Sequence, residues 1–546
     1  MVGPIGRVTA AGLLVAAVTM GSGASGLANA ATALFDNLGS LHHEISTTSP
    51  QAQQFFDQGL RLVFAFNHEE AVASFEEAIR LDADAPMPYW GLGLSLGPNI
   101  NSAMDAKQEP RAAEALQKAA SRLGRATPRE RAYIEALSVR YSTKRGSSRR
   151  IKDEAYAKAM QAVARAYSAD ADALTLAAEA LMNLRPWDYW RADGRPQPGT
   201  EEIVSTLQLA LRVNPDHPGA CHYYIHAVEA SREPERAVDC AKRLASLMPG
   251  AGHLVHMPAH VFMRVGLYRE ASEHNSSAAA VDSDYLEHHG SRSTYAIGYY
   301  AHNLHFLNAS LMMEGRSAEA LRVAHDLLEK LSAWDTKDDP AGEFYAPTAL
   351  MTLARFGHWS EIIREPPPAR ERRLTTGLWH FVRGLAFAAT TRFGSAEGEL
   401  SNLRKVMKVF AKAKTSEGKT SRSILKVAER VLVGELAARQ GRYDAGIQAL
   451  REAVRLETAL PYSEPPFWYQ PVRHNLGAVL MLAGLPAEAE RVYREDLEIN
   501  PENGWALQGL AQSLRAQHKQ DDAERTDARF RTAWAGADVT LLTSRF

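Results

Sequence analysis

Cysteine is nearly absent: the chain has two in 546 residues, Cys221 and Cys240. With no Cys-x-x-Cys, heme attachment through thioethers and dithiol redox chemistry of that type are excluded. The two thiols can pair outside the cytoplasm or stay buried, and their spacing does not decide which. Net charge is nearly absent as well, −2 at neutral pH, so nothing draws the chain to nucleic acid or anionic lipid. The short basic stretch from Lys144-Arg145 to Arg149-Arg150 reads as a solvated loop between helices. No run beyond the N-terminus is long and apolar enough for a membrane span. H-E-x-x-H, G-x-S-x-G, a P-loop and a strand-borne GxGxxG are all missing, which removes several common hydrolase and nucleotide-binding chemistries.

What is present is ordinary for a soluble protein, with 45% hydrophobic and 23% charged residues. At this length one core is not enough, so the chain must form several domains or a repeat array. Arg7, the small apolar stretch Ala10 to Thr19 and Ala28-Asn29-Ala30 together read as an export signal over residues 1–30. The mature chain then starts near Ala31, and the expected location is periplasmic or secreted. The leader has no cysteine to accept a lipid.

From Ala52 the sequence runs A-Q-Q-F-F-D-Q-G-L-R-L-V-F-A-F-N-H-E-E-A-V-A-S-F-E-E-A-I-R-L-D. Counting Ala52 as position 1, Gly59, Ala71, Phe75 and Ala78 fall at positions 8, 20, 24 and 27. Small residues there let two helices approach, and the large one fills the gap between neighbouring pairs. A copy starting at Pro218 has Ala237, Ala241 and Leu244 at 20, 24 and 27. Another, starting at Gln470, has Leu476, Gly477, Gly484, Ala489, Tyr493 and Pro501 at 7, 8, 15, 20, 24 and 32. This pattern resembles the tetratricopeptide repeat. The resemblance covers nearly all of the mature chain and implies an all-α, right-handed superhelical solenoid of about eleven or twelve helix–turn–helix repeats. The expected organisation is a lead-in over 31–51, N-terminal repeats over 52–215, central His-rich repeats over 216–335 and C-terminal repeats over 336–546. Three stretches break the period, Arg185–Gly199, Leu286–Tyr300 and Pro461–Tyr469. Their clustered aromatics suggest loops packed onto something.

Histidine is concentrated: 11 of 19 fall between His217 and His305. His222 to His256 is 34 residues, and so is His226 to His260, the period of a two-helix repeat. His222, His256 and His305 take position 5 of their copies, His226 and His260 position 9, His253 and His302 position 2, and Glu229 position 12. Steps of three and four put all of them on one face of the first helix, away from the packing positions. In the resembled family that face lines the concave groove where ligands bind. The motifs H-Y-Y-I-H-A-V-E-A-S and P-G-A-G-H-L-V-H-M-P-A-H further resemble a signature of a group of exported bacterial proteins with this repeat, a resemblance that implies no reaction.

Imidazoles four residues apart can grip one ion, and a nitrogen-rich set with optional carboxylate suits Zn, Fe, Mn, Ni or Cu(II). His222, His226, His256 and His260 are the first expected ligands. His253, His302, His305 and Glu229 complete a second ion or orient the first set. Asp188, Glu229 and Glu464 are candidate acids or bases, the loop pair His288-His289 is a candidate cover, and His474 is a further candidate ligand. His42, His43, His68, His325, His358 and His518 read as ordinary structural histidines. The expected function is an exported metal-dependent enzyme, an oxidoreductase or hydrolase, acting on a small organic substrate in the groove. A non-catalytic scaffold for a protein or peptide, or a metal carrier, is the alternative.

Overall fold

The computed structural model describes residues 33–141, 148–191, 193–289, 295–334 and 340–546. The expected export signal and the centre of the basic stretch lie outside these. Among the described residues the protein is all-α, its only β features being the isolated bridges Asn99–Ser102 and Trp190–Pro196. None of the described helices is long and apolar enough to cross a membrane. The chain divides into two compact units: residues 1–261 with 280–285, and residues 262–279 with 286–546.

The first unit is a series of helix pairs. α1 (Pro50–Phe64) packs on α2 (His68–Leu81), α3 (Pro86–Ser95) on α4 (Glu109–Ala120), and α5 (Pro128–Ser138) on α6 (Arg149–Ala166). α7 (Ala171–Met182) pairs with α8 (Thr200–Val213), and α9 (Pro218–Val228) with α10 (Val238–Leu247). The short α11 (Gly252–His256) follows; α12 (Pro258–Arg264) and the long α13 (Tyr268–His289) each contribute residues to both units. In the second unit the pairs include Arg373–Ala389 with Phe393–Val409, Ser416–Arg439 with Tyr443–Thr458, and Gly504–Ala516 with Gln520–Ala533. Their core is built from residues such as Leu378, Phe381, Leu432, Trp468, Val479 and Tyr493.

One turn recurs at position 15 of eight repeats. Phe66, Gly266, Gly315, Gly357, Thr391, Gly441, Gly484 and His518 all have φ between +55° and +81°. In each, the next residue's N–H bonds back to the carbonyl five residues earlier, as Asn67 to Leu62 (3.0 Å) and Leu485 to Leu480 (2.9 Å). This left-handed closure satisfies carbonyls that the helix end leaves free. Glycine adopts it without a Cβ clash, so five of the eight positions are Gly.

Position 24 locks adjacent repeats. A Cβ on Gly59 would lie 2.7 Å from Phe75 Cζ, and one on Gly91 2.3 Å from Phe75 Cε1. The ring is therefore clamped between two glycines on α1 and α3. Tyr493 is held in the same way by Gly477 and Gly509. Gly91→Ala must displace Phe75, and such overpacking costs about 1–3 kcal/mol. A lower urea midpoint is the expected result; an unchanged one would show that Phe75 moves aside freely.

Candidate metal centre

Three segments of the first unit gather the imidazoles. α9 carries His222 and His226 one turn apart and ends at its C-cap, Glu229. α11 carries His253 and His256, and His260 follows on α12. These last two were expected four residues apart on one straight helix. Instead the helix ends at His256 and restarts at Pro258, which has no N–H to continue the ladder. Across that break the Nε2 atoms of His256 and His260 lie 2.8 Å apart.

The other ring nitrogens fix the tautomers. His222 Nδ1 lies 2.6 Å from the Phe64 carbonyl, which can only accept, so Nδ1 carries the proton. Nδ1 of His226 and of His260 donate to the two oxygens of Glu229, at 2.7 and 2.5 Å. The Nε2 atoms of His222, His226 and His260 are thereby left with lone pairs. His222 Nε2 faces His253 Nε2 at 3.1 Å, and His226 Nε2 has no hydrogen-bond partner. One ring nitrogen each from His222, His226 and His253 lie within 4.8 Å of one another. Glu229 also falls within that distance of His226 and His260, and both its oxygens accept imidazole protons. It positions the rings through these bonds, and each oxygen keeps a further lone pair.

The cluster is enclosed. His222, His226, His253, His256, His260 and Glu229 are each 3% exposed or less. An open groove wall, expected from the off-core positions of the stripe, is not what these side chains form. Phe66 stacks on His226 (ring centroids 6.1 Å) and His253 (5.6 Å) and meets His222 edge-on at 4.5 Å. Trp187 meets His226 edge-on at 4.9 Å. Phe66 and Trp187 both have left-handed backbones, at φ of 59° and 62°. That conformation is uncommon for a bulky residue and persists only where the surroundings fix it. Sequence reading missed Phe66, although its place at position 15, where glycine is usual, was a signal.

Burial sets the charge. His222 and His253 are pushed well below the ordinary imidazole range, first by burial and then by neighbouring rings. His226 is also lowered by burial, an effect that Glu229 partly offsets. Burial would raise the Glu229 carboxyl, but His260 and His226 hold it down at about 2. His222, His226 and His253 are therefore held neutral beside one carboxylate, the state in which imidazoles accept a cation.

The other candidates sit on other segments of the chain. Asp188 accepts from Arg185 (3.1 Å) and Gln197 (2.9 Å), tying down the loop that delivers Trp187. That loop packs inward as expected, with Trp187 Nε1 on the Ile100 carbonyl and Trp190 Nε1 on the Ala227 carbonyl. His302 and His305 belong to the second unit, on the helix Ala301–Glu314. There His302 packs on Phe306, and His305 lies between Tyr345 and Tyr469. Burial lowers His305 to about 4. Glu464, in the same unit, accepts from Tyr462 at 2.8 Å. Both nitrogens of His474 are taken, by Arg355 at 3.2 Å and Asp496 at 2.9 Å, so it is structural rather than a ligand. His288 and His289 end a helix instead of forming a loop. Cys221 and Cys240 are buried free thiols.

Fold and centre together define the class: an all-α helical-repeat protein with a buried polyhistidine cluster. No family model and no curated protein matches the sequence. Among solved structures the chain is similar to yeast Tom70, at 12% identity over 89% of this chain and 91% of that one, with a TM-score of 0.26. It is also similar to the human IFIT1 dimer with m7Gppp-AAAA, at 12% identity over 90% and 91%, TM-score 0.30. A third is Naa15/Naa10 bound to HypK-THB, at 12% identity over 88% and 63%, TM-score 0.23. At these scores the likeness carries no argument for a ligand or partner.

Proposed function

We propose that the first unit holds a transition-metal ion on the Nε2 atoms of His222, His226 and His253, with His256 and His260 beside it. The observation that carries this is the inward-facing lone pair of His226 Nε2, buried without a partner beside two neutral rings. An unpartnered buried acceptor is costly, and a cation resolves it. Nitrogen donors suit Zn, Fe, Mn, Ni or Cu(II) over Ca or Mg. Three protein ligands leave a coordination position open, as in catalytic sites. The ion would supply Lewis acidity or activate water or dioxygen there. The chain's own part is to hold each ring by its Nδ1, through Glu229 and the Phe64 carbonyl. Phe66 and Trp187 keep bulk water out. On this reading the protein is an exported metal-dependent enzyme for a small organic substrate. The enclosure favours a retained ion over delivery.

Elemental analysis of untagged protein tests the proposal: near-stoichiometric metal is expected, and metal-free protein of native stability would remove it. Glu229→Gln keeps the size of the group but disturbs both Nδ1 contacts. Losing such an orienting partner weakens metal affinity by about 10–100-fold, measurable by chelator competition; unchanged affinity would show that Glu229 is idle. Cleavage after Ala30 is expected to appear as an intact mass starting at Ala31, and retention of residues 1–30 in the exported fraction would count against it.

A further inference from the structure

A second set of buried polar groups in the first unit is left unused by the histidine cluster. Arg140 and Tyr141 lie on the 3₁₀ turn Val139–Tyr141 after α5, Tyr156 on α6, Glu179 on α7 and Asn183 at its C-cap. Arg140 is 0% exposed and Glu179 5%. The Arg140 Nε bonds Asp153 at 2.9 Å, but Nη1 and Nη2 have no partner. The hydroxyls of Tyr141 and Tyr156, Glu179 Oε2 and Asn183 Oδ1 are also buried without one. Buried polar atoms are nearly always satisfied, so six unmet atoms on neighbouring elements mark a place built for something else.

The groups face one another. The Arg140 guanidinium carbon is 4.7 Å from the Tyr156 ring centroid. A Cβ on Gly97, just beyond α3, would lie 2.5 Å from Tyr141 Oη and 3.5 Å from Arg140 Nη1. Tyr141 Oη and Arg140 Nη1 thus both lie against Gly97. Donors are in excess: two guanidinium NH₂ arms and two phenol hydroxyls stand against two lone acceptor oxygens. A planar fork of guanidinium N–H groups matches a carboxylate. Burial raises the Glu179 carboxyl to about 7, with Arg140 opposing, so it can carry a proton and add little negative charge.

We propose that Arg140, Tyr141 and Tyr156 form an enclosed binding site for a small monocarboxylate, with Glu179 and Asn183 along its edge. Its carboxylate accepts from the Arg140 arms and the two hydroxyls. One guanidinium balances a single negative charge, and burying the second charge of a dianion such as sulfate unpaired is costly. The proposal does not rest on the metal reading.

The test uses the full chain and acetate as probe, with sulfate as contrast, followed by thermal melting and isothermal titration. Acetate is expected to raise the melting temperature saturably, and sulfate at equal ionic strength is not. Arg140→Gln carries a risk of misfolding, so the informative variant is Tyr141→Phe/Tyr156→Phe, which deletes only the two unpartnered oxygens. It is expected to fold, and to bind acetate at least tenfold more weakly. Gly97→Ala, which sets a Cβ against Tyr141 Oη and Arg140 Nη1, is expected to abolish the acetate shift. No acetate response in the wild type, an equal sulfate response, full acetate affinity in the double Phe variant, or a crystal grown in acetate with only water on Arg140 would each overturn the proposal.

Discussion

Replacing His222 and His226 together with alanine is expected to empty the centre, cutting bound metal from near one equivalent to below about a tenth. Two of three nitrogen donors are lost, and the remaining ring, His253, cannot hold an ion alone against buffer and water. The fold is expected to survive, because α9 keeps its packing residues Tyr223, Ile225 and Ala227, all buried. Helicity by circular dichroism should therefore match the wild type while metal content collapses. Equal loss of helicity would mean that the rings are structural, and retained metal would place the ion elsewhere.

The second large effect concerns stability. Asp172 on α7 takes His43 Nδ1 on one oxygen (2.7 Å) and His217 Nε2 on the other (3.0 Å). His43, Asp172 and His217 are 3%, 7% and 0% exposed. Asp172→Ala leaves both imidazoles buried beside an empty site, and breaking a buried pair from one side costs about 3–5 kcal/mol. Denaturant unfolding at constant pH measures this, and a loss within the error of extrapolation would contradict it.

That loss should depend on pH, and the two partners set opposite limits. Burial would raise Asp172, but hydrogen bonds from His217 and His43 hold it far below the carboxylate range. Its contribution is present above the unfolded value, about 3.9, and fades as pH falls through the lower folded value. Burial would lower His43, but its bond to Asp172 raises it. Its contribution is present below about 6.5 and fades as pH rises through the higher folded value. The wild-type advantage over Asp172→Ala is therefore expected to be larger at pH 5.5 than at pH 8.5; the reverse order would refute the assignment.

Much of the centre was legible because a 34-residue period and a three-four spacing survive directly into geometry. His222, His226, His253, His256, His260 and Glu229 needed only the repeat and the helix. Three things were not legible. The stripe lies off the packing positions, which suggested an open groove, yet side chains from distant segments cover it: Phe66 from the α1–α2 turn and Trp187 from the loop after α7. The spacing alone places His256 and His260 on one helix, whereas Pro258 breaks that helix between them. Glu229 reads as a ligand or base in a linear pattern. Only the positions of two Nδ1 atoms, one from α9 and one from α12, show that its oxygens are already engaged. The reverse holds for Arg140, Tyr141 and Tyr156. No periodicity links them, and they meet only through the packing of successive repeats.

X-ray absorption at the metal edge, combined with anomalous diffraction, shows whether an ion sits on these imidazoles. A nitrogen-dominated shell at about 2.0–2.1 Å is expected, the range for imidazole ligands, with the anomalous peak between His222, His226 and His253. A shell without imidazole scattering, or a peak away from these three rings, would contradict it.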